Sequence, residues 1–410
     1  MPKQKYRLDV LLFCLCCEFG GCTWAGPGTP PSIASAASAQ EGPRTLLAAG
    51  KPTPFDALTP YGRRDALRQM AWRENVLVGF GKAAFVRELD HAQLANVLRF
   101  LDAENYLPLL EKDLIGPPLR LPAPSAQVEQ DLLTLQQFGE EDDRRRADAA
   151  ASTTAIGAPA VLQRYQALFG KRLSPAALVG QQSGDLLILF DAAARAGNGN
   201  PDSRTLDDML AVHHEFTARG IDTRRTLDAS MLYAMLAARR FEGARAFAAT
   251  RPHLANIAVP QVEDPLGPGF KGRSVFAYDA PRNTLRRQAL PAESGAELVM
   301  VVGAGCHNSD NALQAIHEDA ALQARLQGVK LVLITAPAAP VETRLIAAWN
   351  AANPAMPMRA PYSAQEWQAI QVTGIPAFYL LRNGKVVRQH AGWPAEGKAA
   401  LSGLIDAAAK

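Results

Sequence analysis

Cys306 is the residue best placed to do chemistry. It stands alone, because Cys14, Cys16, Cys17 and Cys22 all crowd the N-terminus. The apolar run Leu298 to Val302 reads as a buried strand, and a helical pattern starts at Asn308. Gly305-Cys306-His307-Asn308-Ser309 therefore puts the thiol at a helix N-terminus. Unpaired backbone N–H groups and the positive end of the helix dipole favour thiolate there. Such settings lower a cysteine pKa from roughly 8.5 to between about 3.5 and 7.5. Asn308 or Ser309 can cap the helix, and Asp310 reads as a first-turn charge. His307, if protonated, adds to the pull on the thiolate; otherwise it is a turn residue facing solvent. A hydroxyl cannot resolve a mixed disulfide, so a thiol with Ser309 three residues on attacks once and needs an external thiol for release. With one thiol outside the N-terminus there is no cysteine zinc site, and no phosphate-binding glycine loop is present. The expectation is no metal and no cofactor.

Thr373-Gly374-Ile375-Pro376-Ala377-Phe378-Tyr379 lies downstream of this turn, followed by Asn383-Gly384-Lys385-Val386-Val387 and Gly392-Trp393. Asn383-Gly384 is a strong hairpin signal, since both positions tolerate positive φ. Together with the Cys306 turn, this third of the chain resembles the thioredoxin-like superfamily. The resemblance implies a cis Ile375-Pro376 bond beside Cys306, and an Ile375 backbone free to pair with an extended substrate. The chain departs from the family pattern twice. Ser309 replaces the second cysteine, giving a CxxS monothiol variant, and Gly305 stands where a Trp is usual.

Strands are expected at Ser274–Tyr278, Thr284–Ala289, Leu298–Val302, Val329–Thr335, Ala377–Leu381 and Lys385–Gln389. Helices are expected from Asn308 to about Leu326, with a break near Asp319, then at Val341–Asn350 and around Leu401 to Ala408. That order predicts a mixed sheet with helices on both faces. Residues 54–258 read as helical. Leu206, Met209, Leu210, His213 and Phe216 share a face, as do Leu227, Met231, Leu232, Met235 and Leu236, while Asp185 to Ala194 is apolar nearly all round. His213 on such a face reads as a core histidine, and Trp349-Asn350 as core packing. Met231 to Thr250 resembles one tetratricopeptide-like helical hairpin, with no second copy at a fixed period. Pro118, Pro122 and Pro124 are candidate dividers between two lobes. The fold class expected is an irregular α-helical domain (54–258), a Pro/Gly linker (259–273) and an α/β thioredoxin-like domain (274–410).

Residues 1–25 read as an export signal: Lys3, Lys5 and Arg7 precede a short apolar run from Val10 to Cys17. Phe19-Gly20-Gly21-Cys22 resembles a lipoprotein box, which would lipidate Cys22; cleavage near Ala25 or Ala39 is the alternative. Residues 26–53, rich in Gly, Pro, Ser and Ala, read as a disordered tether. With 43 basic and 40 acidic side chains, the net charge of +3 gives no long-range pull toward nucleic acid. The function expected is a periplasmic monothiol protein, soluble or lipid-anchored. It would form mixed disulfides with exported clients, or with a small thiol, through Cys306. The alternative is a redox-silent binding scaffold.

Overall fold

The computed structural model describes residues 42–73, 76–150, 159–198, 203–290, 295–303, 306–370, 372 and 374–409. The expected export signal, Cys22 and the tether up to residue 41 lie outside these. Part of the expected tether is ordered instead: α1 spans Pro43–Ala48, and Thr53 with Asp56 forms a capping box.

A small N-terminal lobe follows, built from α2 (Pro60–Arg68), β1 (Ala71–Arg73), β2 (Val76–Gly79), α3 (Ala83–Glu88), α4 (His91–Phe100) and α5 (Leu107–Leu110). The antiparallel β1–β2 pair corrects the all-helical expectation. Strands this short carry too few residues for alternation to show. The lobe has its own core of Phe55, Phe85, Leu94, Val97, Leu98 and Leu110. Phe55 and Phe85 meet edge to face at 5.5 Å.

The second helical layer holds α6 (Ala126–Ala150), α7 (Pro159–Phe169), α8 (Pro175–Val179), α9 (Ser183–Gly197), α10 (Ser203–Ala218), α11 (Leu227–Ala237) and α12 (Phe241–Ala249). Leu186 to Phe190 are all buried, so α9 is the central helix its all-round apolar sequence requires. Its start packs tightly on the proline-rich turn: a Cβ on Gly184 would lie 2.1 Å from the Pro122 carbonyl oxygen, which explains the glycine. His213 is a core histidine, with Nε2 2.6 Å from Asp228 Oδ1.

The C-terminal region is a sheet with helices. Its strands are β3 (Gln261–Glu263), β4 (Ser274–Asp279), β5 (Thr284–Ala289), β6 (Ala296–Val302), β7 (Lys330–Thr335), β8 (Met358–Pro361), β9 (Ala377–Arg382) and β10 (Lys385–Ala391). Their spatial order is β10-β9-β6-β7-β8-β4-β5-β3. β6, β7 and β8 run parallel, and β9 is antiparallel to β6. The helices are α13 (His307–Glu318), α14 (Ala320–Gln327), α15 (Thr343–Ala352) and α16 (Gly397–Ala408). Asp319 separates α13 from α14 and caps the latter by accepting from Leu322 N–H.

The expectation of helices on both faces is corrected. Leu298, Met300 and Val302 of β6 pack with α13, α14, α15 and α16 in one core. Val299 and Val301, on the other face, pack with Trp367 and Ile370 of a 3-10 turn and its exit. The reason is strand order. The crossovers from β6 to β7 and from β7 to β8 step the same way across the sheet, and right-handed crossovers then lie on one side. The expected linker is also not a gap, because β3 joins the sheet edge beside β5 and the helical core continues into it. Phe241 at the start of α12 meets Phe276 of β4 edge to face at 5.7 Å.

Candidate functional site

Strand β6 is buried almost throughout and delivers the chain to Gly303 at its end. A Cβ on Gly303 would come within 3.2 Å of the Ile375 side chain, so the strand end and the proline segment approach closely. Cys306 is the N-cap residue of α13, with extended backbone, and its carbonyl accepts from Asp310 N–H at 2.9 Å. Its thiol donates to the Ile375 carbonyl at 3.4 Å. Cys306 forms no disulfide and is 7% exposed. The Ile375–Pro376 bond is cis, and the Pro376 carbonyl accepts from Gly392 N–H at 2.7 Å. The fold thus brings Cys306, Ile375 and Pro376 together from opposite ends of the region.

Ser309 takes a different part from the capping one expected. It is the third residue of α13, fully buried, and its Oγ accepts from Gly303 N–H at 3.2 Å. A cap must precede the first helical residue, and Cys306 holds that position with no side-chain bond to the helix. Ser309 therefore ties the helix to the end of β6. His307, the first helical residue, is half-buried with Nε2 shut off from water. Asp310 keeps part of its surface in water in the first turn; partial loss of solvation pushes its carboxyl up, and the nearby His307 opposes this. Trp349 is buried and donates to the Met356 carbonyl at 2.7 Å, as core packing requires.

Two arginines that bind the loops and turns beside the sheet, half-buried Arg239 and buried Arg287, escaped the sequence. Arg239, in the α11–α12 turn at φ 60°, spends every N–H on backbone carbonyls. Nε donates to Tyr362, Nη1 to Leu236, Ala237 and Ala339, and Nη2 to Pro337 and Pro361, at 2.8–3.3 Å. Burial lowers its pKa to about 10, so it is still a cation at neutral pH. Arg287 of β5 donates to Ser274 Oγ (2.8 Å), Asp264 (2.9 Å), the Gly267 carbonyl (3.0 Å) and Glu366 (2.7 Å). Its guanidinium lies 3.5 Å from the Tyr362 ring centroid. Only the odd charge in an Ala-rich turn, or in an alternating strand, could have flagged them.

Elsewhere among the described residues, no group of three or more His, Cys, Asp or Glu side chains could hold a metal. No described helix is long and apolar enough to cross a membrane.

No family model matches the chain, and no curated protein matches it in sequence. Among solved structures, the chain is similar to a thioredoxin-like protein from Bacteroides caccae, with 16% identity and a TM-score of 0.23. The match covers 62% of this chain and 97% of that one.

Proposed function

We propose that the region from Ser274 to Lys410 is a thioredoxin-like domain and that Cys306 is a monothiol that exchanges disulfides. One observation carries this: the sulfur stands at the N-terminus of α13, 3.4 Å from the Ile375 carbonyl that precedes Pro376. The helix end favours the thiolate, and the Ile375 backbone offers an edge to an extended client. The thiolate attacks a client disulfide, a mixed disulfide forms, and the second client sulfur leaves as thiolate. An external thiol then attacks the mixed disulfide and returns Cys306 to the thiolate. Exported proteins, or a small thiol of the cell envelope, are the proposed clients, with delivery by the N-terminal signal. The second reading, a redox-silent binding scaffold, is favoured by the slight exposure of Cys306 and by its thiol acting as donor.

The test is the rate of reaction with an aromatic disulfide reagent at pH 7. The difference between wild type and Cys306→Ser isolates this thiol from the N-terminal cysteines. The expected result is a Cys306 component several-fold faster than free cysteine, because the helix end raises the thiolate fraction by more than it lowers the thiolate's nucleophilicity. A component no faster than free cysteine favours the scaffold.

A further inference from the structure

We propose that Arg239 and Arg287 are positioning residues for the thiol site: together they grip the segment that holds the Ile375 carbonyl against Cys306. The inference rests on the monothiol reading above and adds to it a role for the helical region.

The two guanidinium groups come from different elements and converge on one short stretch. Arg239 reaches down from the α11–α12 turn and takes the Pro361 and Tyr362 carbonyls. It also takes the Pro337 and Ala339 carbonyls from the loop after β7. Arg287 takes Glu366 and lies on the Tyr362 ring. Ser274 completes the grip, with N–H and Oγ both donating to Glu366 Oε2 at 2.7 and 2.6 Å. Its carbonyl accepts from Trp367 Nε1 at 3.0 Å and from Tyr362 N–H at 3.2 Å. Trp367 and Ile370 are buried in the cluster against which Ile375 packs. Movement at Tyr362 or Glu366 is thus passed through close-packed side chains to Ile375.

The direction of the effect follows from who donates. The Cys306 S–H donates a hydrogen bond to the Ile375 carbonyl, a bond only the neutral thiol can make. A hydrogen bond to the neutral form disfavours the charged one. The grip therefore restrains the thiolate that the helix end promotes, and loosening it releases the sulfur. The helical region, through Arg239, takes part in setting the thiol's reactivity.

The experiment uses the full chain and measures the pH dependence of Cys306 alkylation by iodoacetamide, with Cys306→Ser as blank. The variants are Arg239→Lys, Arg287→Lys and Glu366→Gln, with Asp228→Asn as a destabilised control whose carboxylate pairs with His213, His253 and Arg251 instead of with the grip. The expected result is a midpoint lower by about half a unit or more in the folded grip variants, and unmoved in the control. Unmoved midpoints in folded grip variants overturn the proposal, as does an equal shift in Asp228→Asn, which would mean general loosening. If one arginine variant fails to fold, Glu366→Gln decides. A wild-type thiol that is slow toward disulfides sinks the monothiol reading alone, because alkylation midpoints need no disulfide chemistry.

Discussion

Replacing Arg239 with Met lowers the stability of the chain by about 3 kcal/mol, the scale of leaving buried polar groups without their partner. Met keeps the apolar stem and removes only the guanidinium, so lost packing is a small part of the change. Six carbonyls then lose a donor, four of them from the end of β8 and the loops beside the sheet. Each buried carbonyl without a donor costs about 1–3 kcal/mol, and relief from burying an uncompensated cation offsets part of the sum. The measurement is the denaturant midpoint followed by tryptophan fluorescence, with Trp349, Trp367 and Trp393 reporting the sheet region. An unchanged midpoint refutes the view that this side chain holds the helical turn to the sheet.

Asp228→Asn has a comparable effect at pH 7, about 3 kcal/mol, and loses it in acid. Asp228 is almost wholly buried, with His213 Nε2 at 2.6 Å on one oxygen and His253 Nε2 at 2.8 Å on the other. Arg251 pairs with it at 3.3 Å and stacks on Phe247. Burial pushes the carboxyl up, but hydrogen bonds from His213 and Thr223 and the charges of His213 and Arg251 outweigh it and hold the pKa at about 2. A depressed carboxyl stabilises the fold above its unfolded value of 3.8, and the contribution fades as pH falls through about 2. The shift corresponds to about 2 kcal/mol. The variant also removes the carboxylate oxygens that His213, His253 and Arg251 share, which adds to its deficit. Denaturant titrations between pH 2 and pH 7 should show the gap between wild type and Asp228→Asn shrinking below pH 4. A gap independent of pH would show that the carboxylate charge does not matter there.

The strands at 274–289 and 296–302 and the helix break at Asp319 were legible because each rests on local pattern or capping. Strand β8 was not: Met358-Arg359-Ala360-Pro361 is four residues that follow Pro357 and end on a proline, and tertiary pairing with β4 and β7 makes it a strand. Which face the helices take depends on strand order, and no local pattern encodes that. At the site, Cys306 and Pro376 could be read because each sits in a short motif of its own. Ser309 was misassigned because cap and third helical position differ only in the phase of one turn. Arg239, Arg287 and Asp228 stayed hidden for a different reason. Arg239 and Pro361 are 122 residues apart, and a lone charge in a helical or strand pattern reads as solvated surface.

The arrangement of the sheet's margins also bears on assembly. At one end, β10 pairs only with β9, and its register slips between Val386 and Arg388, leaving Val387 as an extra residue. Lys385 and Arg388 are exposed along it. At the other end, β3 offers only three residues. A bulged, cationic margin and a stub are poor templates for another chain's backbone. A second copy therefore meets no long, straight strand at either margin of the eight-stranded sheet, and strand-by-strand growth from those two margins is disfavoured.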